Sequence, residues 1–169
     1  MNISIQVRQA TATDALRISD IHVLSRAATY RNQLPDHYLD VEMLAESAAL
    51  WPGRMVRLLA GDGVVFIAEH GGLSIGFICL ERPDADRSSK VDNLHVLPEN
   101  KGCGAGSKLL DCAREWAISN GALRLHLFVL DQNKPAISFY ESRGWLFAGR
   151  QDEIMGGVPV VTLRYELPL

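Results

Sequence analysis

The chain has 169 residues, which suits one domain with a buried core. Hydrophobic residues make up 47% of it and charged residues 22%, as is typical of a soluble globular protein. The formal net charge is −3 and the 17 lysines and arginines are scattered, which argues against a nucleic-acid partner. No segment approaches the ~20 apolar residues that span a bilayer. We therefore expect a cytoplasmic protein with no membrane partner.

The cysteines and histidines do not have the spacing of a metal site or a disulfide framework. Cys79, Cys103 and Cys112 include no C-x-x-C pair, and three free thiols suit a reducing compartment. Four histidines show no metal-ligand spacing, and we interpret them as structural or surface residues: His22, His37, His70 and His126. We expect no bound metal.

The first third of the chain predicts one strand and two helices. Residues 3–9 alternate apolar and polar side chains like a strand. Thr11 and Asp14 have the spacing of a capping box, so a helix is expected to begin close to them. A second, short helix is predicted over residues 38–50, with Trp51-Pro52-Gly53 ending it.

Beyond the second helix, strands alternate with helices. The turn His70-Gly71-Gly72 between two apolar runs predicts a β-hairpin, and residues 82–90 are expected to form a loop. The predicted strands cover residues 64–69, 73–81, 91–97, 123–130, 145–151 and 159–167, and the predicted helices cover residues 107–120 and 134–143. Since no repeat or linker interrupts this order, we predict a single α/β domain over residues 1–169.

A glycine-rich turn joins strand 91–97 to the clearest amphipathic helix. Gly102, Gly104 and Gly106 occupy alternate positions, and Ser107 follows directly. Glycine permits positive φ and lets the backbone approach a ligand closely. The start of a helix adds free N–H groups and the positive end of its dipole. The segment therefore predicts a pyrophosphate site.

Two common phosphate turns do not match this segment. A P-loop counted from Gly102 has Ser107 in place of its second glycine and Leu109 in place of its magnesium-binding hydroxyl. A G-x-G-x-x-G dinucleotide turn again meets Ser107 instead of glycine, and too little chain follows for a doubly wound sheet.

A third pattern matches. The segment Lys101–Gly106 resembles the [QR]-x-x-G-x-[GA] turn of the GNAT-family N-acetyltransferases, with Lys101 where that family usually has Gln or Arg. The segment Asn133–Trp145 is similar to the family's N-x-x-A-x-x-[FL]-Y-x-x-x-G-[FW] pattern. Two motifs in this order are more specific than either alone. The resemblance implies a mostly antiparallel twisted sheet of about seven strands, splayed at the cofactor site, with about four helices.

The resemblance also implies acetyl-CoA as co-substrate and assigns roles to matching positions. Main-chain groups of Leu94 and Val96 would pair with the pantetheine arm, and Asn133 would contact the donor near its amide region. Tyr140 would protonate the departing thiolate. The expected donor site comprises Leu94, His95, Val96, Lys101, Gly102, Cys103, Gly104, Ala105, Gly106, Ser107, Asn133, Ala136 and Tyr140.

The chemistry of amine acetylation needs an acid and a route for the proton of the amine. A phenol with a pKa of ~10 can protonate a thiolate whose pKa is ~8.5–9; alternatively, Tyr140 is a helix aromatic packed on the sheet. Asp92 or His95 could act as base, but alternation along a strand directs them to opposite faces. At most one then faces the acceptor, unless a bulge intervenes. Water could carry the proton instead.

The acceptor is expected to be a primary amine of a small molecule. Tyr30 and Asp36 are candidate acceptor contacts in a segment that resembles bacterial family members of unassigned substrate. Phe128 stands where the ribosomal-protein acetyltransferases carry a strand glutamate, which argues against that subgroup. Acetylation of a lysine or N-terminus in a protein, or a non-catalytic acyl-CoA sensor, are the alternatives. A homodimer is also compatible with the resemblance.

Overall fold

The computed structural model describes residues 4–169, so Ile3, where the first strand was predicted to begin, lies outside the described residues. Seven strands form one sheet in the order β1-β2-β3-β4-β5-β7-β6. The strands are β1 Gln6–Gln9, β2 Gly63–His70, β3 Leu73–Glu81, β4 Ser88–Val96, β5 Arg124–Leu130, β6 Leu146–Met155 and β7 Val158–Pro168. The helices are α1 Ala15–Tyr30, α2 Met43–Arg57, α3 Ala105–Ser119 and α4 Lys134–Glu141. The predicted fold class is confirmed.

Two layers of helix cover the strands β2, β3 and β4. On one face, α3 buries Leu109 and Ala113 against Ile78 and Leu80 of β3. On the other face, α1 and α2 pack against Phe77 and its neighbours on β2 and β3. From Phe77 to Leu80 the side chains of β3 alternate between the two faces, so each core takes every second residue of this stretch. In the part of the chain that the structure describes, no helix is long and apolar enough to cross a membrane.

The predicted end of the second helix at Trp51-Pro52-Gly53 is wrong, because α2 continues to Arg57 with Pro52 inside it. A proline in a helix interior costs about 3 kcal/mol through a lost hydrogen bond and steric crowding. Trp51 and Met55 are spaced one turn apart on the same face and are almost completely buried. Burial of side chains of this size contributes about 1.5–3 kcal/mol each, which offsets the proline.

Strand β4 begins at Ser88, inside the segment predicted as a loop. Ser88 and Ser89 are buried although they are polar. The Ser88 hydroxyl lies 2.6 Å from Nδ1 of His126, and the Ser89 hydroxyl donates to the Glu81 carbonyl at 2.6 Å. Tertiary partners therefore satisfy the hydroxyls that made this stretch look like a loop.

The sheet opens between β4 and β5, which form its only parallel pair among the described residues. Pairing is confined to three positions, from Ser88 with Arg124 to Lys90 with His126. Beyond Lys90 the two strands separate, as the predicted splay requires. The pairing of β3 with β4 is also irregular, because Cys79 opposes Asn93 while Leu80 opposes Val91. Asp92 is therefore the extra residue of a β-bulge.

Candidate functional site

A cleft of about 800 Å³ lies where β4 and β5 diverge. The glycine-rich turn and α4 form one side, and α1, α2 and the β6–β7 hairpin form the other. The cleft brings together the following predicted site residues: Tyr30, Asp92, Leu94, His95, Val96, Lys101, Gly102, Gly104, Ala105, Gly106, Ser107, Asn133, Ala136 and Tyr140.

Two predicted residues lie elsewhere. Cys103 is an exposed thiol of the turn and does not line the cleft. Asp36 is also exposed, pairs with Arg31 at 3.2 Å and does not line the cleft. The structure therefore gives neither side chain a place in the cleft.

The glycine-rich turn leads into α3 with an open space over the helix start. Gly102 and Gly104 have φ values of +80° and +90°, and a Cβ added at either would meet no protein atom within 4 Å. The N–H of Lys108 donates to the Gly104 carbonyl at 3.1 Å. The amides of residues 105–107 therefore precede the helical hydrogen bonds, so they are available to an anion.

Gly106 has a different role from the other two glycines. Its φ is not positive, but an added Cβ would lie 3.3 Å from Cζ of Phe139 on α4. The third glycine of the motif therefore allows α3 and α4 to approach each other at the cleft.

Arg143 is a cleft residue that the sequence analysis missed. Its Nη2 donates to the Ser107 hydroxyl at 2.5 Å, and its guanidinium carbon lies 3.7 Å from the centroid of the Phe139 ring. A cation therefore stands beside the first turn of α3. Its spacing of four residues from Phe139 on α4 is the sequence signal that could have indicated this stacking.

The bulge at Asp92 changes the expected alternation along β4. Asp92 contacts Arg54 of α2, and Nδ1 of His95 lies 3.0 Å from the Ser25 hydroxyl of α1. Both side chains therefore face the α1–α2 side of the sheet, whereas strict alternation would place them on opposite faces. Leu94 and Val96 pack on the α3 side.

The two candidate bases have different electrostatic surroundings. Burial raises the pKa of Asp92, but Arg54 and Lys90 reverse this effect, and the net result is a pKa below its ordinary value. Asp92 is thus a carboxylate held by two cations, with Lys90 Nζ at 2.7 Å. Burial lowers the pKa of His95 well below 6.5, with further contributions from His22 and Arg26. His95 is therefore a neutral imidazole at physiological pH.

His22 lines the cleft and is buried. The sequence had indicated only a structural or surface role for it. Trp51 Nε1 donates to Nδ1 of His22 at 3.1 Å. Because indole can only donate, His22 carries its proton on Nε2. Burial lowers the pKa of His22 to about 4. Its ring centroid lies 5.0 Å from that of His95, so two neutral imidazoles stand side by side.

Tyr140 both packs in the core and lines the cleft, so the two interpretations of this residue are compatible. It is 8% exposed, and its ring centroid lies 5.5 Å from that of Trp145. Burial raises the pKa of its phenol well above 10, with a smaller contribution from Tyr30. Tyr140 therefore keeps its proton throughout the physiological range.

Asn133 caps α4, because its side-chain oxygen accepts from the Ala136 N–H at 3.4 Å. Tyr30 of α1 lines the cleft as Asn133 does, and burial raises the pKa of its phenol. Among residues 4–169, no group of three or more His, Cys, Asp or Glu side chains could hold a metal ion.

Comparisons with known proteins agree with this geometry. An N-acetyltransferase of Bacillus subtilis (strain 168), YhfO, itself uncharacterised, is 31% identical over 143 residues, covering 82% of this chain and 88% of the relative. The thialysine N-epsilon-acetyltransferase of Mus musculus is 32% identical over 78 residues, covering 41% of this chain and 46% of the relative.

Among solved structures, the PaiA N-acetyltransferase of Thermoplasma acidophilum, in complex with coenzyme A, superimposes with a TM-score of 0.80 at 22% identity. The alignment covers 99% of this chain and 100% of that one, and at this identity it shows the shared fold. The sequence model of the acetyltransferase (GNAT) family matches residues 25–145. The chain therefore belongs to the GNAT family of N-acetyltransferases and is an acyltransferase.

Proposed function

We propose that the protein transfers the acetyl group of acetyl-CoA to a primary amine of a small molecule by direct attack, with Tyr140 as general acid. One observation carries this proposal. The open start of α3 and the phenol of Tyr140 line the same cleft, at the point where β4 and β5 part.

The residues on the donor side fit the parts of acetyl-CoA. The free amides after Gly104 and the cation of Arg143 suit the pyrophosphate, since both offer hydrogen bonds and positive charge to phosphate oxygens. Beyond Lys90, β4 has no strand partner on its β5 side. Main-chain groups of Leu94 and Val96 can therefore pair with a pantetheine arm that lies in the gap as an additional strand.

The reaction forms one bond to nitrogen and breaks one bond to sulfur. A neutral amine attacks the thioester carbonyl. We assign the N–H of Val96 to polarise that carbonyl. The C–S bond then breaks, and Tyr140 gives its proton to the thiolate. The amine releases its proton to His95 or to water, and solvent returns a proton to Tyr140.

The raised pKa of Tyr140 is compatible with its role as acid. Burial disfavours the phenolate, but a thiolate released in the same cleft is disfavoured for the same reason. We favour His95 over Asp92 as base, because Asp92 is engaged by two cations. The lowered pKa of His95 makes it a weak base, so water is the alternative proton acceptor.

A thiol-release assay with acetyl-CoA against amines and peptides tests the proposal. We expect turnover with a small amine and binding of acetyl-CoA by calorimetry. Turnover with peptides alone would indicate a protein acetyltransferase, and donor binding without any turnover would indicate a sensor. Absence of binding at millimolar acetyl-CoA would refute the donor site itself. Arg114→Ala, an exposed change on α3 outside the cleft, is the control variant.

We also propose a cytoplasmic location and a homodimer. The three cysteines are free thiols, which suits a reducing compartment. Leu146, Phe147 and Ile154 are exposed apolar side chains on β6, which is an edge strand of the sheet, and such edges invite pairing with another copy. Light scattering should give twice the chain mass of 18.6 kDa; a monomer at micromolar concentration would refute the homodimer.

A further inference from the structure

Arg26 of α1 extends into the cleft without a counter-ion. It is half-buried, and its Nη2 donates to the thioether sulfur of Met155 at 3.0 Å, which is a weak acceptor. Its guanidinium carbon lies 5.8 Å from the centroid of the Tyr30 ring. Within residues 4–169, no carboxylate lies within 4.0 Å of this guanidinium.

Two other basic side chains that line the cleft, Arg54 and Lys90, pair with Asp92. Lys101 donates to the Thr29 hydroxyl of α1 at 3.4 Å. The neighbouring imidazoles of His22 and His95 can be neutral or positively charged, so neither can balance the charge of Arg26. A guanidinium removed from water favours a charged partner, and its planar donors match a carboxylate in bidentate geometry. Arg26 is therefore suited to an anionic group of a bound molecule, such as a carboxylate.

Glu153 of β6 has the opposite charge and also lines the cleft. Its Oε1 accepts from the Thr162 hydroxyl at 2.9 Å and from Gln151 Nε2 at 2.7 Å. None of the described lysines, arginines or histidines pairs with Glu153 within 4.0 Å. Glu153 and Met155 are two residues apart on the same side of β6, roughly 7 Å along the strand. This wall of the cleft thus carries one positive side chain, Arg26, and one negative side chain, Glu153, a short distance apart.

We propose that the acceptor is a zwitterionic amino acid, whose carboxylate binds Arg26 and whose ammonium group is attracted by Glu153 before the amine is deprotonated. This inference rests on the proposed acetyltransferase function and specifies its substrate class. Arg26 directly follows Ser25, whose hydroxyl contacts His95, so a carboxylate on Arg26 holds the molecule beside the proposed base. A polyamine would instead place an additional cation against Arg26.

The test compares each amino acid with its decarboxylated amine, using L-lysine with cadaverine and L-ornithine with putrescine. We expect kcat/KM to favour the carboxylate-bearing member by about ten- to a hundred-fold, as one charged hydrogen-bonded pair allows. Arg26→Ala should abolish this preference and Arg26→Lys should retain part of it, while the KM for acetyl-CoA stays unchanged. Arg57→Ala, an exposed change on α2 outside the cleft, should behave like the wild type.

Two results would overturn the inference: equal or better kcat/KM for the decarboxylated amines, or an Arg26→Ala variant that loses affinity for acetyl-CoA instead of selectivity for the acceptor. A binding measurement separates this inference from the proposed function. Calorimetry on CoA-saturated protein should show tighter binding of Nε-acetyl-L-lysine than of N-acetylcadaverine, and Arg26→Ala should remove the difference. A difference in binding without any turnover would refute the proposed catalysis but not the role of Arg26. Equal binding together with no turnover would refute both.

Discussion

At the scale of single residues, the first prediction concerns the hydroxyl of Tyr140. Tyr140→Phe should lower kcat by about 10²- to 10⁴-fold, because a positioned acid contributes that much to proton transfer. The affinity for acetyl-CoA should change by less than about twofold, since the ring still packs against Trp145. Single-turnover kinetics and calorimetry measure the two effects separately.

Tyr165→Phe is the matched control for this variant. It removes a phenol hydroxyl that donates to Glu141 at 2.7 Å, outside the cleft. We expect the control to cost some stability and to leave turnover nearly intact. If Tyr140→Phe and its control had equal turnover, another group or solvent would be the acid.

A second residue, His22, links the cleft to pH-dependent stability. The unfolded chain protonates His22 near 6.5, whereas burial lowers its pKa to about 4 in the folded protein. Between these values the unfolded state binds more protons, so stability is lost as the pH falls. From pH 8 to pH 5 the free energy of unfolding should decrease by about 2 kcal/mol through this residue.

His22→Gln tests this linkage, because glutamine can still accept from Trp51 Nε1. Urea unfolding at pH 8 and pH 5 should show a smaller loss of stability in the variant than in the wild type, by about that same 2 kcal/mol. An equal loss of stability between pH 8 and pH 5 in the two proteins would mean that His22 has an ordinary pKa in the folded state.

At the scale of elements, the open space at the turn before α3 predicts where the donor binds. Gly104→Val should weaken acetyl-CoA binding by about tenfold or more, because the side chain enters the open space over the helix start and strains a backbone with φ of +90°. Calorimetry measures the affinity. Gly53→Ala, where an added Cβ meets nothing within 4 Å, is the control.

Helix α2 and strand β4 show where local patterns predict an element incorrectly. Pro52 indicated a helix end and the two serines at the start of β4 indicated a loop, as both residue types usually do. The buried face of Trp51 and Met55 keeps α2 continuous, and the partners His126 and Glu81 satisfy the two serines. In both cases the deciding contacts come from residues distant in the sequence.

At the scale of the molecule, one sheet joins the two halves of the chain and places the cleft between them. We therefore expect residues 1–169 to unfold as one domain in a single cooperative transition. Acetyl-CoA at 100 times its dissociation constant should raise the free energy of unfolding by about 2.7 kcal/mol. Thermal unfolding followed by two probes measures both effects. Two separated transitions, or no shift with the donor, would contradict this prediction.

The sequence by itself predicted the residues of the proposed donor half of the cleft. Glycines at alternate positions, a strand before them and a helix after them are local features, and each has a conformational meaning that does not depend on the rest of the fold. The sequence also placed Tyr140 on the helix predicted over residues 134–143, and α4 includes it.

Only the tertiary structure decided the other half. The bulge at Asp92 depends on pairing with β3, and it directs Asp92 and His95 to the same face. The missing counter-ion of Arg26 depends on what α1, β4 and β6 bring close to it. Such features arise from contacts between segments far apart in the chain, so no local pattern of residues records them.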